Sequence, residues 1–172
     1  ELDILTTSKK MSYVPQSITS NFSMDVFDVV LLGRRPYINW SVGENDRNLV
    51  SKTIDRMGLS GFAFRRFDRL SGGEKQRVII AKAVAQDPDL FLFDEPTSDL
   101  DLKNQIEVMK ELRRIVSEEN GKAAVIAIHD INIASRFSDR IILLHEGEII
   151  SNGKPSDVLT PENIELVFEV TS

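Results

Sequence analysis

Apolar residues along this chain recur in two spacings, and each predicts a kind of element. Helical spacing appears in Met24–Leu32, closed by Gly33, and in Asn45–Met57, closed by Gly58. It returns in Val78–Ala85 and in the series Leu102, Ile106, Met109, Leu112 and Ile115, which ends before Gly121. Continuous short runs read as strands buried on both faces, at Leu90–Phe93 and Ala124–Ile128. Met11–Val14 reads as a short strand stopped by Pro15, and residues 1–10 read as polar and irregular. Arg140–Leu144 and Glu148–Ser151 flank Glu146-Gly147 and predict a hairpin. Pro155 and Pro161 each open a short helix, and Phe62, Phe64 and Phe67 are expected in the core. Strand–helix alternation from residue 88 to 144 argues for an α/β core.

Several polar residues stand where these elements begin or end. Ser71 precedes a helix with Glu74 three positions on, so the two form a capping box. Gly72 and Gly73 leave the first-turn amides uncovered, and such a helix start suits an anion. Asp94 and Glu95 follow the Leu90–Phe93 strand, where ligands of open α/β sheets bind. His129 follows the second strand in the same way, with Asp130 as the cap of Ile131–Phe137.

Composition narrows the function. The chain has 172 residues, 41% hydrophobic and 28% charged, with a formal net charge of −6. That acidic balance, without a basic stripe, argues against nucleic-acid binding. Cysteine is absent, which excludes thiolate metal sites. No apolar run approaches the ~18 residues of a membrane span, so no direct membrane insertion is expected and any membrane link goes through a partner.

The stretch Leu70–Asp101, LSGGEKQRVIIAKAVAQDPDLFLFDEPTSDLD, resembles the signature, Walker B and D-loop block of ATP-binding cassette (ABC) ATPases. Gln16 in Tyr13-Val14-Pro15-Gln16 is similar to that family's Q-loop, and His129 to its switch histidine. Leu31–Tyr37 is similar to a stretch of importers of iron–siderophore and cobalamin type. The resemblance implies a P-loop NTPase (RecA-like) α/β core with an inserted α-helical subdomain. Residues 1–16 would belong to the core up to the Q-loop. Residues 17–86 would form the helical subdomain, and 87–172 the core with Walker B, D-loop and switch histidine.

The family's Walker A loop, G-x-x-x-x-G-K-[ST], is not found. Gly147 and Gly153-Lys154 are spaced by five residues instead of four, and Pro155 replaces the hydroxyl residue. The expectation is therefore a core lacking its Walker A part, which alone does not hydrolyse ATP.

The resemblance implies ATP and Mg2+ as cofactors. It assigns Asp94 and Gln16 to magnesium, Glu95 to water activation and His129 to the γ-phosphate. Ser71, Gly72, Gly73, Glu74 and Gln76 of the signature, with Asp101 of the D-loop, would meet nucleotide bound by a second cassette in a head-to-tail dimer. Transmembrane permease subunits are the other implied partners, which places the chain in the cytoplasm on the inner face of the cell membrane. Two alternatives remain: a non-catalytic half-partner lending its signature face to a complete cassette, and a DNA-repair or chromosome-structure cassette. The second ranks low, because no sustained heptads lie between Gln16 and Leu70.

Overall fold

A computed structural model describes residues 3–16, 23–118 and 121–169. The expected start of the helical subdomain, residues 17–22, lies outside them. The chain divides into two units, Glu1–Ala127 and Ile128–Ser172.

The first unit opens with α1 (Ile4–Lys10), where irregular chain was expected. Asp3 caps it, its carboxylate accepting from the Thr6 amide at 2.6 Å. None of its residues is buried. The helix therefore carries no apolar stripe for a sequence pattern to reveal. β1 (Met11–Val14) follows, and β2 (Leu90–Asp94) and β3 (Ala123–Ala127) complete a parallel sheet in the order β1-β2-β3. Val14 pairs with Phe93, and Asp94 with Ala127. Phe91 and Phe93 point to one side of β2, where their rings stack 5.8 Å apart. The expectation of strands buried on both faces is met only in part. β2 alternates between buried and half-buried positions, and Val125 on the edge strand β3 is 59% exposed.

Between β1 and β2 lies the helical part. It contains α2 (Val26–Leu31), α3 (Glu44–Arg56) and α4 (Gly72–Ala85), packed on one another through Val26, Val29, Val30, Val50, Val78 and Ile80, all fully buried. Gly33 does not stop α2. The backbone continues as a 3-10 turn over Leu32–Tyr37, and Gly33 is buried because it meets the last turn of α4. Arg34 fastens the same place: its guanidinium donates to Asp46 Oδ1 (2.9 Å) and to the Ala85 carbonyl (3.0 Å), and stacks 4.0 Å above the Tyr37 ring. Of the three phenylalanines expected in the core, Phe67 is fully buried, Phe62 is half-buried and Phe64 is 84% exposed. α5 (Leu102–Glu118) buries Val108, Met109, Leu112 and Ile115 and packs on β3.

The second unit begins with α6 (Ile131–Phe137), whose cap Asp130 accepts from the amides of Asn132 and Ile133. β4 (Ile141–His145) and β5 (Glu148–Gly153) form the expected hairpin, with Glu146 (φ 49°) and Gly147 (φ 83°) at its turn. α7 (Pro155–Val158) and α8 (Pro161–Phe168) both start on proline. Ile141, Leu143 and Val158 make this unit's small core.

Candidate nucleotide site

Two clusters in the first unit collect most of the polar residues singled out in the sequence. The first stands at the carboxyl ends of β1 and β2. Gln16, two residues past β1, donates its side-chain amide to Glu95 Oε2 at 2.9 Å. The Tyr13 hydroxyl stands 3.5 Å from Asp94 Oδ2, a long contact. Glu95 adopts a left-handed backbone (φ 44°), which a non-glycine residue holds at a cost of about 1–3 kcal/mol. Its amide donates to the Ala127 carbonyl (3.0 Å), and its carbonyl accepts from the Ser98 amide (3.2 Å). The chain thus turns sharply off β2 and presents Asp94 and Glu95 side by side.

Among the described residues no group of three or more histidine, cysteine or acidic side chains is placed to hold a metal ion. Two carboxylates with an amide oxygen nevertheless suit magnesium, which keeps much of its water and is completed by substrate phosphates. With Gln16 Nε2 turned to Glu95, its Oε1 is the oxygen left for such an ion.

The second cluster is the start of α4. Ser71 N–H and Oγ–H both donate to Glu74 Oε2, at 2.7 and 2.8 Å, and Glu74 N–H donates back to Ser71 Oγ at 3.4 Å. The expected capping box is therefore formed. The Ser71 amide holds the Glu74 carboxyl below its ordinary range, with help from the nearby Arg65 and Arg77 guanidiniums. Across a groove of about 460 Å³ from Ser71, Gly73, Glu74 and Arg77 stand Asp99 and Asp101. Gly73 lets the two walls approach: a Cβ there would lie 3.2 Å from Leu100 Cδ2 and 3.4 Å from the Asp99 carbonyl. Around Gly72 there is open space, so its amide is sterically accessible. Asp101 caps α5, accepting from the Asn104 amide (2.9 Å) and side chain (2.8 Å), and this pulls its carboxyl down.

Gln76 stands apart from the other signature residues. It is fully buried, and its side-chain amide donates to the Pro96 carbonyl at 3.1 Å. It thereby ties the signature helix to the turn carrying Asp94 and Glu95, and no surface of it is left for a ligand. His129 belongs to the second unit, two residues beyond β3. Its place in the site rests on the motif resemblance. Tyr13, Arg77 and Asn104 were not anticipated. For Tyr13 the signal was available, since a residue near the end of a strand neighbouring β2 projects toward the same carboxyl edge.

Comparison with known proteins agrees with this geometry. A family model for the ABC transporter matches residues 3–98. The chain is 46% identical over 98% of its length to an uncharacterised ABC transporter ATP-binding protein of Methanocaldococcus jannaschii. It is 39% identical over 95% of its length to a petrobactin import ATP-binding protein of Bacillus subtilis. It spans 65% of the length of each of these relatives. Among solved structures, a dimeric ATP-binding cassette in a post-hydrolysis state bound to ADP and Pi superposes with a TM-score of 0.75 at 34% identity, covering 90% of this chain and 68% of that one. A parallel α/β core with a capped signature helix and paired carboxylates after β2 defines an ABC-type ATPase fold. The chain belongs to the ABC transporter family.

Proposed function

We propose that this chain carries the signature, carboxylate and switch elements of the ATP-hydrolysing subunit of a membrane importer, for iron–siderophore, haem or cobalamin-type substrates. The observation that supports it best is the meeting of Gln16, Asp94 and Glu95 at one sheet edge, with Gln16 and Glu95 bonded at 2.9 Å. Petrobactin import by the Bacillus subtilis relative supports the substrate class. No helix among the described residues is long and apolar enough to cross a membrane, so permease subunits would supply the membrane path. The chain would then work in the cytoplasm, bound to them at the inner face of the membrane.

In this reading Glu95 accepts the proton of the attacking water, as a carboxylate within hydrogen-bond reach does. Asp94, with the Gln16 carbonyl oxygen, holds magnesium through its water shell. Magnesium, when bound, neutralises charge on the transferring phosphoryl group. His129 steadies the γ-phosphate. Ser71, Gly72 and Gly73 close on the nucleotide phosphate held by a facing cassette, with Asp101 at the shared boundary. Gln76 positions the signature helix without touching nucleotide.

Magnesium titration followed by NMR is expected to move the amides of Gln16, Asp94 and Glu95 together in the millimolar range. Shifts that bypass these three overturn the assigned site. In calorimetry this chain is expected to show no magnesium-ATP binding below millimolar concentration and no hydrolysis, because its sequence holds no G-x-x-x-x-G-K-[ST] loop. Micromolar binding, or hydrolysis that disappears in Glu95→Gln, would overturn that expectation. Mixing with a complete cassette separates the half-partner alternative, since only a half-partner raises that cassette's activity.

A further inference from the structure

The groove beside the signature helix holds three carboxylates, Glu74, Asp99 and Asp101, against one guanidinium, Arg77. That balance repels a phosphate, although the helix start above it offers amide donors. Moreover, both donors of Ser71 are engaged by a single oxygen, Glu74 Oε2. A carboxylate of the chain itself thus sits where an anion would be received. Arg77 lies three residues beyond Glu74, on the same face of α4. Among the described residues, its buried Nε has no hydrogen-bond partner. The carboxylate therefore has two sets of donors within its reach, Ser71 and Arg77.

We propose that Glu74 is a gate on the signature helix: bonded to Ser71 it excludes phosphate, and turned onto Arg77 it frees Ser71 N–H and Oγ–H for one. This rests on the reading of the signature helix as a phosphate site. It makes Glu74 a specificity-determining side chain, one that a correct ligand has to displace. A weakly held anion does not break two charge-assisted bonds, whereas a terminal phosphate, with more charge and more acceptor oxygens, does. Arg77 lowers the cost of opening by receiving the displaced carboxylate.

The test is an NMR titration of this chain with inorganic phosphate at constant ionic strength, read at the Ser71, Gly72 and Gly73 amides. Glu74→Gln keeps the capping geometry but removes the charge. It is expected to bind phosphate about tenfold more tightly than the unaltered chain. Asp99→Asn removes a charge from the same groove without touching Ser71 and is expected to change affinity less than about twofold. Arg77→Gln is expected to weaken binding when Glu74 is present and to have no effect in the Glu74→Gln background.

Equal affinity in Glu74→Gln and the unaltered chain, with shifts at the three amides, overturns the gate and leaves the phosphate-site reading standing. Equal weakening by Arg77→Gln in both backgrounds makes Arg77 a direct phosphate contact and also overturns the gate. No shift at these amides in any variant overturns the gate as well; the functional reading is then decided by the magnesium and mixing measurements. Far-ultraviolet circular dichroism on each variant confirms that α4 is intact.

Discussion

Gly33→Ala is expected to destabilise the first unit by about 3 kcal/mol, with the melting temperature falling by about 6–12 °C. The reason is steric. A Cβ on Gly33 would lie 2.2 Å from the Lys82 carbonyl oxygen, 3.1 Å from the Gln86 nitrogen and 3.2 Å from the Lys82 carbonyl carbon. All three are backbone atoms, so no side chain can swing away. The Lys82 carbonyl also accepts from the Gln86 amide at 3.2 Å, and moving it breaks the last turn of α4. The alternative is to push the Leu32–Tyr37 turn off α4. That pulls Arg34 from the Ala85 carbonyl and disturbs its bond to Asp46. Thermal unfolding by circular dichroism checks the prediction. A melting temperature within about 2 °C of the unaltered chain would mean that the two backbones do not approach this closely.

The same glycine shows where the sequence stopped being informative. In one dimension Gly33 looks like the end of a helix, because glycine after an apolar run commonly is one. Its real constraint comes from α4, almost fifty residues later in the chain, and no local pattern records that. Features set by neighbours in sequence were legible: the Ser71–Glu74 capping box, the Asp130 cap, the Glu146-Gly147 turn and the prolines that open α7 and α8. α1 escaped because a helix with no buried residue has no apolar period. Phe64 and Phe67 are both phenylalanine near one turn, yet one is 84% exposed and the other fully buried. Residue type alone does not separate them.

The candidate site divides along the same line. Asp94 and Glu95 were legible because a buried strand delivers them to its carboxyl end, a rule that needs only the strand. That Gln16 reaches Glu95 depends on β1 pairing with β2 in parallel register, which motif order suggested but spacing did not dictate. The left-handed backbone of Glu95 had no sequence signal, since glutamate is not a residue that favours it.

Gln76 carries the second large prediction, because its sequence context pointed to ligand contact and its environment points elsewhere. Gln76→Ala is expected to cost about 3 kcal/mol of stability. It removes the bond to the Pro96 carbonyl, leaves that buried acceptor without its donor, and opens a cavity under α4. Gln76→Leu fills most of the space and loses only the donor, so about 2 kcal/mol is expected. Gln76→Glu places a carboxylate against a carbonyl in a fully buried position and is expected to be at least as damaging as alanine. A residue that merely touches nucleotide gives a different order: alanine, leucine and glutamate would all leave the melting temperature near that of the unaltered chain. The functional consequence follows from what the bond joins. Gln76 is in the second turn of the signature helix, and Pro96 follows Glu95 directly. Losing the tether is therefore expected to shift the Asp94 and Glu95 amides in NMR spectra, although the substituted side chain lies in the helix wall across from them. A Gln76→Ala variant with an unchanged melting temperature and unmoved Asp94 and Glu95 signals would remove the mechanical link between the signature helix and the carboxylate turn.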